Sequence, residues 1–402
     1  MRLRNYAIVT GGYWAFTLTD GALRMLVLLH FHDLGYSPVA LAFLFLPYEF
    51  MGIATNFFGG WAGARFGLNR TLIAGLCLQV VALAALTFQQ PAWSEVATVV
   101  FVMGFQALSG VAKDLTKLSS KSAVKFVASD GALFKLVALL TGSKNALKGI
   151  GFFVGAALLS AVGYNAALWT LATIVAVAVI VVGLGLTERI GKAKVKPPFR
   201  SLLSKSAAVN RLSAARFFLF ASRDIWFVVA LPIFLTEQLG WSFAGVGAFL
   251  AAWVIGYGVV QSVAPRLVRS AGGLKAEVVA ARTWALVLAG VSAALAVLVA
   301  AQVATTAVVV IGLLVFGVVF AMNSSLHSYL IVAVSEGDDT ALDVGFYYSA
   351  NAAGRFVGTF LSGVLYLSGG LEAALWGSAL FVAITWLLTL RLSPSTSEVV
   401  SD

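Results

Sequence analysis

The sequence has one cysteine, Cys77, so no intramolecular disulfide can form and no thiolate metal cluster can be built. Charge is also scarce. Only 11% of the 402 residues are Asp, Glu, Lys or Arg, where a soluble domain carries about a quarter. That shortfall excludes an ordinary water-facing surface. No nucleotide-binding glycine motif is present, which argues against direct ATP drive. No constellation of acids, histidines and metal ligands converges as a membrane-embedded hydrolase or transferase would need, so an enzyme is not expected and no cofactor is implied. The start of the chain, MRLRNYAIVTGGYWAF, lacks a small-residue cleavage site before its first polar break. It reads as a retained first helix rather than a removed signal peptide.

Apolar residues fill the space that charge leaves. They make up 60% of the chain, and the mean hydropathy is +0.95. About 20 apolar residues cross a bilayer, with Gly and Pro tolerated inside such helices. By that measure the sequence predicts an all-α membrane protein of twelve spans, near 5–29, 38–63, 70–89, 95–112, 131–161, 164–186, 211–236, 242–264, 278–301, 306–334, 344–368 and 371–391.

The formal charge of +10 would suggest nucleic acid in a soluble protein, but here the cations serve topology. The loops starting near 30, 89, 162, 237, 302 and 369 contain no Lys or Arg. Alternate loops carry Arg65 and Arg70, then Lys113 to Lys125, Arg189 to Lys205, and Arg266, Arg269 and Lys275. The positive-inside rule therefore puts both termini in the cytoplasm; the expected setting is a bacterial inner membrane, with lipid as the surrounding partner and no nucleic acid. The basic segment ERIGKAKVKPPFRSLLSKS (188–206) divides the chain in two. The expected organisation is a six-helix half over 1–187, a basic linker over 188–210, a second half over 211–392 and a tail over 393–402. A faint repeat supports it: Asn145, Lys148 and Gly155 echo Asn351, Arg355 and Gly358.

Six helices, a basic central loop and six more helices resemble the major facilitator superfamily. The loop after the second span supports that resemblance. Where the family carries Gly-x-x-x-Asp-Arg-x-Gly-Arg-Arg, this chain has Gly60, Arg65, Gly67 and Arg70 in nearly matching places, a candidate gating loop. It departs with Ala64 for the aspartate and Leu68 for the first closing arginine. The missing aspartate removes the negative member of the family's gating charge network.

Charges at membrane depth are the functional signal, because each costs a few kcal/mol on insertion scales. Lys135, Arg216 and Arg282 lie near cytoplasmic ends and are expected to snorkel. Arg24, Lys144, Lys148, Arg223 and Arg355 are harder to explain as structure. Set against Asp20, Glu49 and Asp224, they leave a net positive cavity suited to a multiply charged anion. Tyr347 and Asn351 precede Arg355 and supply candidate donors to the same anion, although aromatic packing explains Tyr347 as well. Asp20 and Arg24, four apart, have the spacing of a helical ion pair. Glu49 is the first candidate proton carrier and Asp20 and Asp224 are weaker ones; the alternative for Glu49 is permanent pairing to a cation. His30 and His32, with Asp33, read as an outer cap rather than a metal site. His327 stands alone in a polar patch, facing either the pore or a neighbouring helix.

The most distinctive stretch runs from Lys113 to Lys148. Lys113, Lys117, Lys121 and Lys125 recur every four residues, a basic stripe that reads as a cytoplasmic orienting segment. Lys144 and Lys148 repeat the spacing inside an apolar run, where a functional site is expected. KDLTKLSSKSAVK (113–125) and FKLVALLTGSKNALKGIGFF (134–153) resemble the ArsJ family of organoarsenical exporters within that superfamily. The resemblance implies a secondary active exporter of 1-arseno-3-phosphoglycerate that confers arsenate resistance, working by alternating access, proton-coupled and of antiporter type. It also implies a functional link to glyceraldehyde-3-phosphate dehydrogenase, which makes that compound. The alternative is a carrier for another phosphorylated organic anion, or a broad drug exporter.

Overall fold

The computed structural model of the chain describes residues 2–66, 68–127, 133–186, 206–268, 273–334 and 340–392; among others, the side chains of 57–66, 121–127 and 133–142 lie outside that description. Every regular element among the described residues is α-helical. A bilayer interior offers no water to unpaired backbone groups, so each apolar run must satisfy its own, and the helix does so within one segment. The elements are α1 (Arg2–Asp33), α2 (Pro38–Phe66), α3 (Leu68–Leu86), α4 (Glu95–Val127), α5 (Leu133–Gly185), α6 (Ala207–Phe227), α7 (Ala230–Glu237), α8 (Phe243–Val268), α9 (Gly273–Ala300), α10 (Thr305–Val334) and α11 (Thr340–Leu390).

Two of these are too long for one crossing. At 53 residues α5 would extend about 80 Å, against a hydrocarbon core of about 30 Å. It turns back at Gly163, whose φ of 76° belongs to the left-handed region. Before the turn α5 runs parallel to α1, with Gly151 against Leu18 and Gly155 against Ala22. After it α5 runs antiparallel, with Tyr164 stacked on His30 and Gly185 against Ile8. In the same way α11, 51 residues long, turns at Gly369 and Gly370. It follows α6 with Gly354 against Phe217 and Gly358 against Ala221, then returns with Thr385 bonded to the Ala215 carbonyl.

α6 and α7 form one crossing with a break. Pro232 has no N–H for the Val228 carbonyl and its ring crowds that group, so the helix parts at Val228–Val229. The N–H groups of Val229 and Ala230 both donate to Ser362 Oγ, at 3.1 Å each. Among the described residues, eleven helices, with two folded back and α6–α7 counted once, make twelve passes, six in each half. α1 falls outside the nine stretches among the described residues that qualify as spans by length and composition alone.

The halves meet along α2 with α11 and α5 with α8. Gly363 approaches the Pro38 carbonyl, Gly149 the Ala251 carbonyl, and Phe43 crosses Phe360 edge to face. A Cβ at Gly155 would lie 2.1 Å from the Ala22 oxygen, and one at Gly358 would lie 2.6 Å from the Ala221 oxygen. These matching contacts relate the two halves, and they correct the register of the faint repeat. Lys148 precedes Gly155 by the same seven residues that separate Asn351 from Gly358, so Lys148 corresponds to Asn351 rather than to Arg355. On the partner helices, Arg24 and Arg223 each follow the contact alanine by two residues and correspond to each other.

The lysine-rich segment from Lys113 is not a loop. α4 continues through it to Val127. The basic linker (all but its last residues, from Ser206 on), the 393–402 tail and Gly67 lie outside the described residues.

Candidate functional site

Six helices bring charged or phenolic side chains together between the halves. On α2, Pro47 leaves the carbonyl of residue 43 without its helical donor and stands directly before Tyr48 and Glu49. Glu49 is fully buried, and its Oε1 accepts from Arg24 Nη2 of α1 at 2.6 Å and from Arg355 Nη2 of α11 at 2.6 Å. Its Oε2 has no hydrogen-bond partner among the described residues. Arg355 also donates from Nε to Asp224 Oδ2 of α6 at 3.0 Å. One guanidinium therefore joins a carboxylate of the first half to one of the second. Arg223 donates to Asp224 Oδ1 through Nε at 2.6 Å, and its Nη2 contacts the same oxygen.

Asp20 completes the group from α1. It accepts from the Tyr48 hydroxyl at 2.5 Å and lies 3.6 Å from Lys148 Nζ of α5. The helical pair expected between Asp20 and Arg24 is thus replaced by pairs to other helices. Lys113 of α4 rests its ammonium 3.9 Å from the centre of the Tyr48 ring. The next residue, buried Asp114, holds Lys117 at 2.5 Å and accepts from Thr55 at 2.7 Å. The orienting role expected of the whole basic stripe is therefore corrected at Lys113 and Lys117, which turn into the protein. The side chains of Lys121 and Lys125 lie outside the described residues.

Exposure sorts these charges. The Arg355 and Lys148 side chains keep 18% of their surface and Arg223 keeps 15%, whereas Glu49 keeps 0% and Asp224 1%. These three cations are thus more accessible than the carboxylates they pair with. Five cations (Arg24, Lys113, Lys148, Arg223 and Arg355) face three carboxylates here. Lys144 is half-buried on α5.

Tyr347 and Asn351 do not serve Arg355. They belong to a second cluster, around Arg216. Expected to snorkel, Arg216 is instead only 4% exposed. Its guanidinium lies 3.9 Å from the Phe220 ring and 5.0 Å from the Tyr347 ring. Nε donates to Asn351 Oδ1 at 2.9 Å, and Nη1 donates to the Ser324 carbonyl and hydroxyl at 3.1 and 3.2 Å. Ser324 Oγ also receives Tyr257 and Gln261, and Gln261 Oε1 in turn accepts from Asn145 of the first half at 3.3 Å. Arg282 donates to the carbonyls of Thr389, Leu390 and Leu392 at the end of α11.

At the end opposite the termini, His32 Nε2 lies 3.0 Å from Thr236 Oγ1 and 4.0 Å from Glu237, linking α1 to α7. Of the gating-loop candidates, Gly60 and Arg65 sit in α2 with their side chains outside the described residues, and Arg70 is exposed at the start of α3.

Sequence comparison with family models gives one match, described as Major Facilitator Superfamily, over residues 9–223 and again over 212–402. No curated protein sequence matches the chain. Among solved structures, the fold is shared with a POT family transporter in complex with a thioalcohol-conjugated peptide, at TM-score 0.77 and 13% identity over 98% of this chain and 97% of that one. A D-xylose–proton symporter gives TM-score 0.74 and 12% identity, over 98% of each chain. The human organic anion transporter MFSD10 gives 0.69 and 15%, over 96% of this chain and 99% of that one.

Proposed function

The chain belongs to the Major Facilitator Superfamily, and from that premise we propose that it is a secondary active exporter of a multiply charged organic anion, 1-arseno-3-phosphoglycerate. The supporting observation is the Arg355 bridge. A single guanidinium held by Glu49 of one half and Asp224 of the other sits among five cations and three carboxylates. An anion with separated phosphate and arsenate ends suits that excess, because guanidinium groups match tetrahedral oxyanions with paired N–H donors. Binding would draw Arg24 and Arg355 away from Glu49 and so loosen the tie between the halves. That gives substrate a direct hold on the rocking motion of alternating access. Lys144, Lys148 and Arg223 would complete the anion's surroundings.

An inside-negative potential favours anion export by about 2.3 kcal/mol per charge per 100 mV. Glu49, Asp20 and Asp224 are the proton-exchange candidates. A Glu49→Gln variant whose flux keeps its full dependence on a pH gradient would remove Glu49 from that role. The same cation excess favours, as a second reading, a carrier for another phosphorylated organic anion.

The setting we propose is a bacterial inner membrane with both termini cytoplasmic. The deciding experiment expresses the chain in an arsenic-sensitive bacterium with and without glyceraldehyde-3-phosphate dehydrogenase. Arsenate resistance that needs both proteins supports export of the arsenylated product. Sensitivity despite correct insertion leaves the second reading.

A further inference from the structure

The cluster around Arg216 has more donors than acceptors. A guanidinium carries five N–H groups, and Arg216 uses Nε and Nη1 on Asn351 and Ser324. No acceptor among the described residues meets its Nη2, and no carboxylate pairs with it. Ser324 Oγ receives Arg216, Tyr257 and Gln261, three donors for an oxygen with two lone pairs. One turn along α10, His327 is wholly buried, and neither ring nitrogen has a hydrogen-bond partner. It shares a helix face with Ser324 and lies within reach of the Arg216 charge. The two His327 ring nitrogens are the buried orphans of this cluster, and a buried polar atom left without a partner costs about 1–3 kcal/mol, so the group gains when something supplies one.

We propose that Arg216, His327, Asn351 and Ser324 form a second anion site, distinct from the Arg355 network, that takes one tetrahedral oxyanion of the phosphate or arsenate class. It lies seven residues along α6 from Arg223, or about 10 Å, on the side of the chain termini. The Phe220 and Tyr347 rings lie against the guanidinium, and with Nε and Nη1 taken by Asn351 and Ser324, Nη2 is the nitrogen left for a further acceptor. Asn351 and Ser328 keep part of their surface, so the cluster is not sealed. Its hydrogen bonds continue through Gln261 to Asn145, three residues from Lys148. Resting on the export reading, this deepens it: the site would hold one end of the substrate, or the whole of it briefly, on the way to the central network.

The test is equilibrium binding of radiolabelled inorganic phosphate to the purified full chain in neutral detergent. Wild type should show two classes of site. Arg216→Gln and His327→Leu should each weaken one class at least tenfold and leave the other, whereas Arg355→Gln should do the reverse. Asn351→Asp gives Arg216 a carboxylate of its own and should also abolish the first class, with folding checked by thermal melting. Wild-type binding in both Arg216→Gln and Asn351→Asp would overturn the proposal, as would loss of every site in Arg355→Gln alone. Failure of arsenate resistance, with this binding intact, would count against the substrate and not against the site.

Discussion

Replacing Glu49 with glutamine should tighten anion binding. The change keeps the shape of the side chain and removes its charge. In the native protein, Glu49 Oε1 receives two guanidinium N–H donors at 2.6 Å each, from a position with no exposure. The carboxylate makes two ion-pair hydrogen bonds, at about 1.5–3 kcal/mol each, and the amide leaves them charged on the guanidinium side only; a loss of about 1 kcal/mol apiece makes roughly 2 kcal/mol across the pair. An entering phosphate must displace that interaction in wild type but not in the variant. At 1.4 kcal/mol per tenfold, the dissociation constant for phosphate at the central network should fall about 30-fold. Without anion, the same variant should melt at a lower temperature, because Arg24 has lost its counter-charge and Arg355 keeps only Asp224, and saturating phosphate should recover most of the difference. Titration calorimetry with phosphate, paired with melting curves at zero and saturating anion, measures both quantities. Weaker or unchanged phosphate binding would refute the reasoning, since the carboxylate would then not compete with anions for Arg24 and Arg355.

Two further outcomes follow from the packing. Gly155→Ala places a methyl group 2.1 Å from the Ala22 oxygen and should destabilise by at least the 1–3 kcal/mol or so usual for overpacking, whereas Gly104→Ala, with nothing within 4 Å, should be nearly neutral; melting temperatures compare them. Ser362→Ala orphans the buried N–H groups of Val229 and Ala230, at about 1–3 kcal/mol each, and hydrogen exchange at those two amides should accelerate markedly.

The spans were legible because bilayer crossing imposes a length and a hydropathy that single residues hardly disturb, and the count of twelve needed only the apolar runs. The members of the charge network were legible for the same reason: Arg24, Glu49, Lys148, Arg223, Asp224 and Arg355 are conspicuous in so apolar a chain. Their pairing was not. Spacing along one helix favoured Asp20 with Arg24, but the helix cross-over put Glu49 and Lys148 nearer, and no local pattern encodes that. Arg216 was misjudged because its closeness to a helix end suggested snorkelling, while Phe220, Tyr347, Asn351 and Ser324 converge on it only in three dimensions. A cue existed in the polar run around His327, which needs something to face. The break before Pro232 could have been read from the proline alone. Lys113 and Lys117 looked like topology signals because a stripe has the same spacing whether it faces water or protein.

The low hydropathy of α1 bears on how the protein is made. Asp20 and Arg24 near its centre each add about 2.5–3.5 kcal/mol to membrane entry on insertion scales, and neither has its partner on the same helix. Glu49 emerges from the ribosome 25 residues later, and Lys148 only after four spans have been synthesised. The first segment must therefore wait beside the translocation channel, incompletely committed to lipid, until α2 and then α5 arrive to neutralise it. Synthesis order and charge pairing are thus tied, and the last step that secures α1 is the arrival of α5.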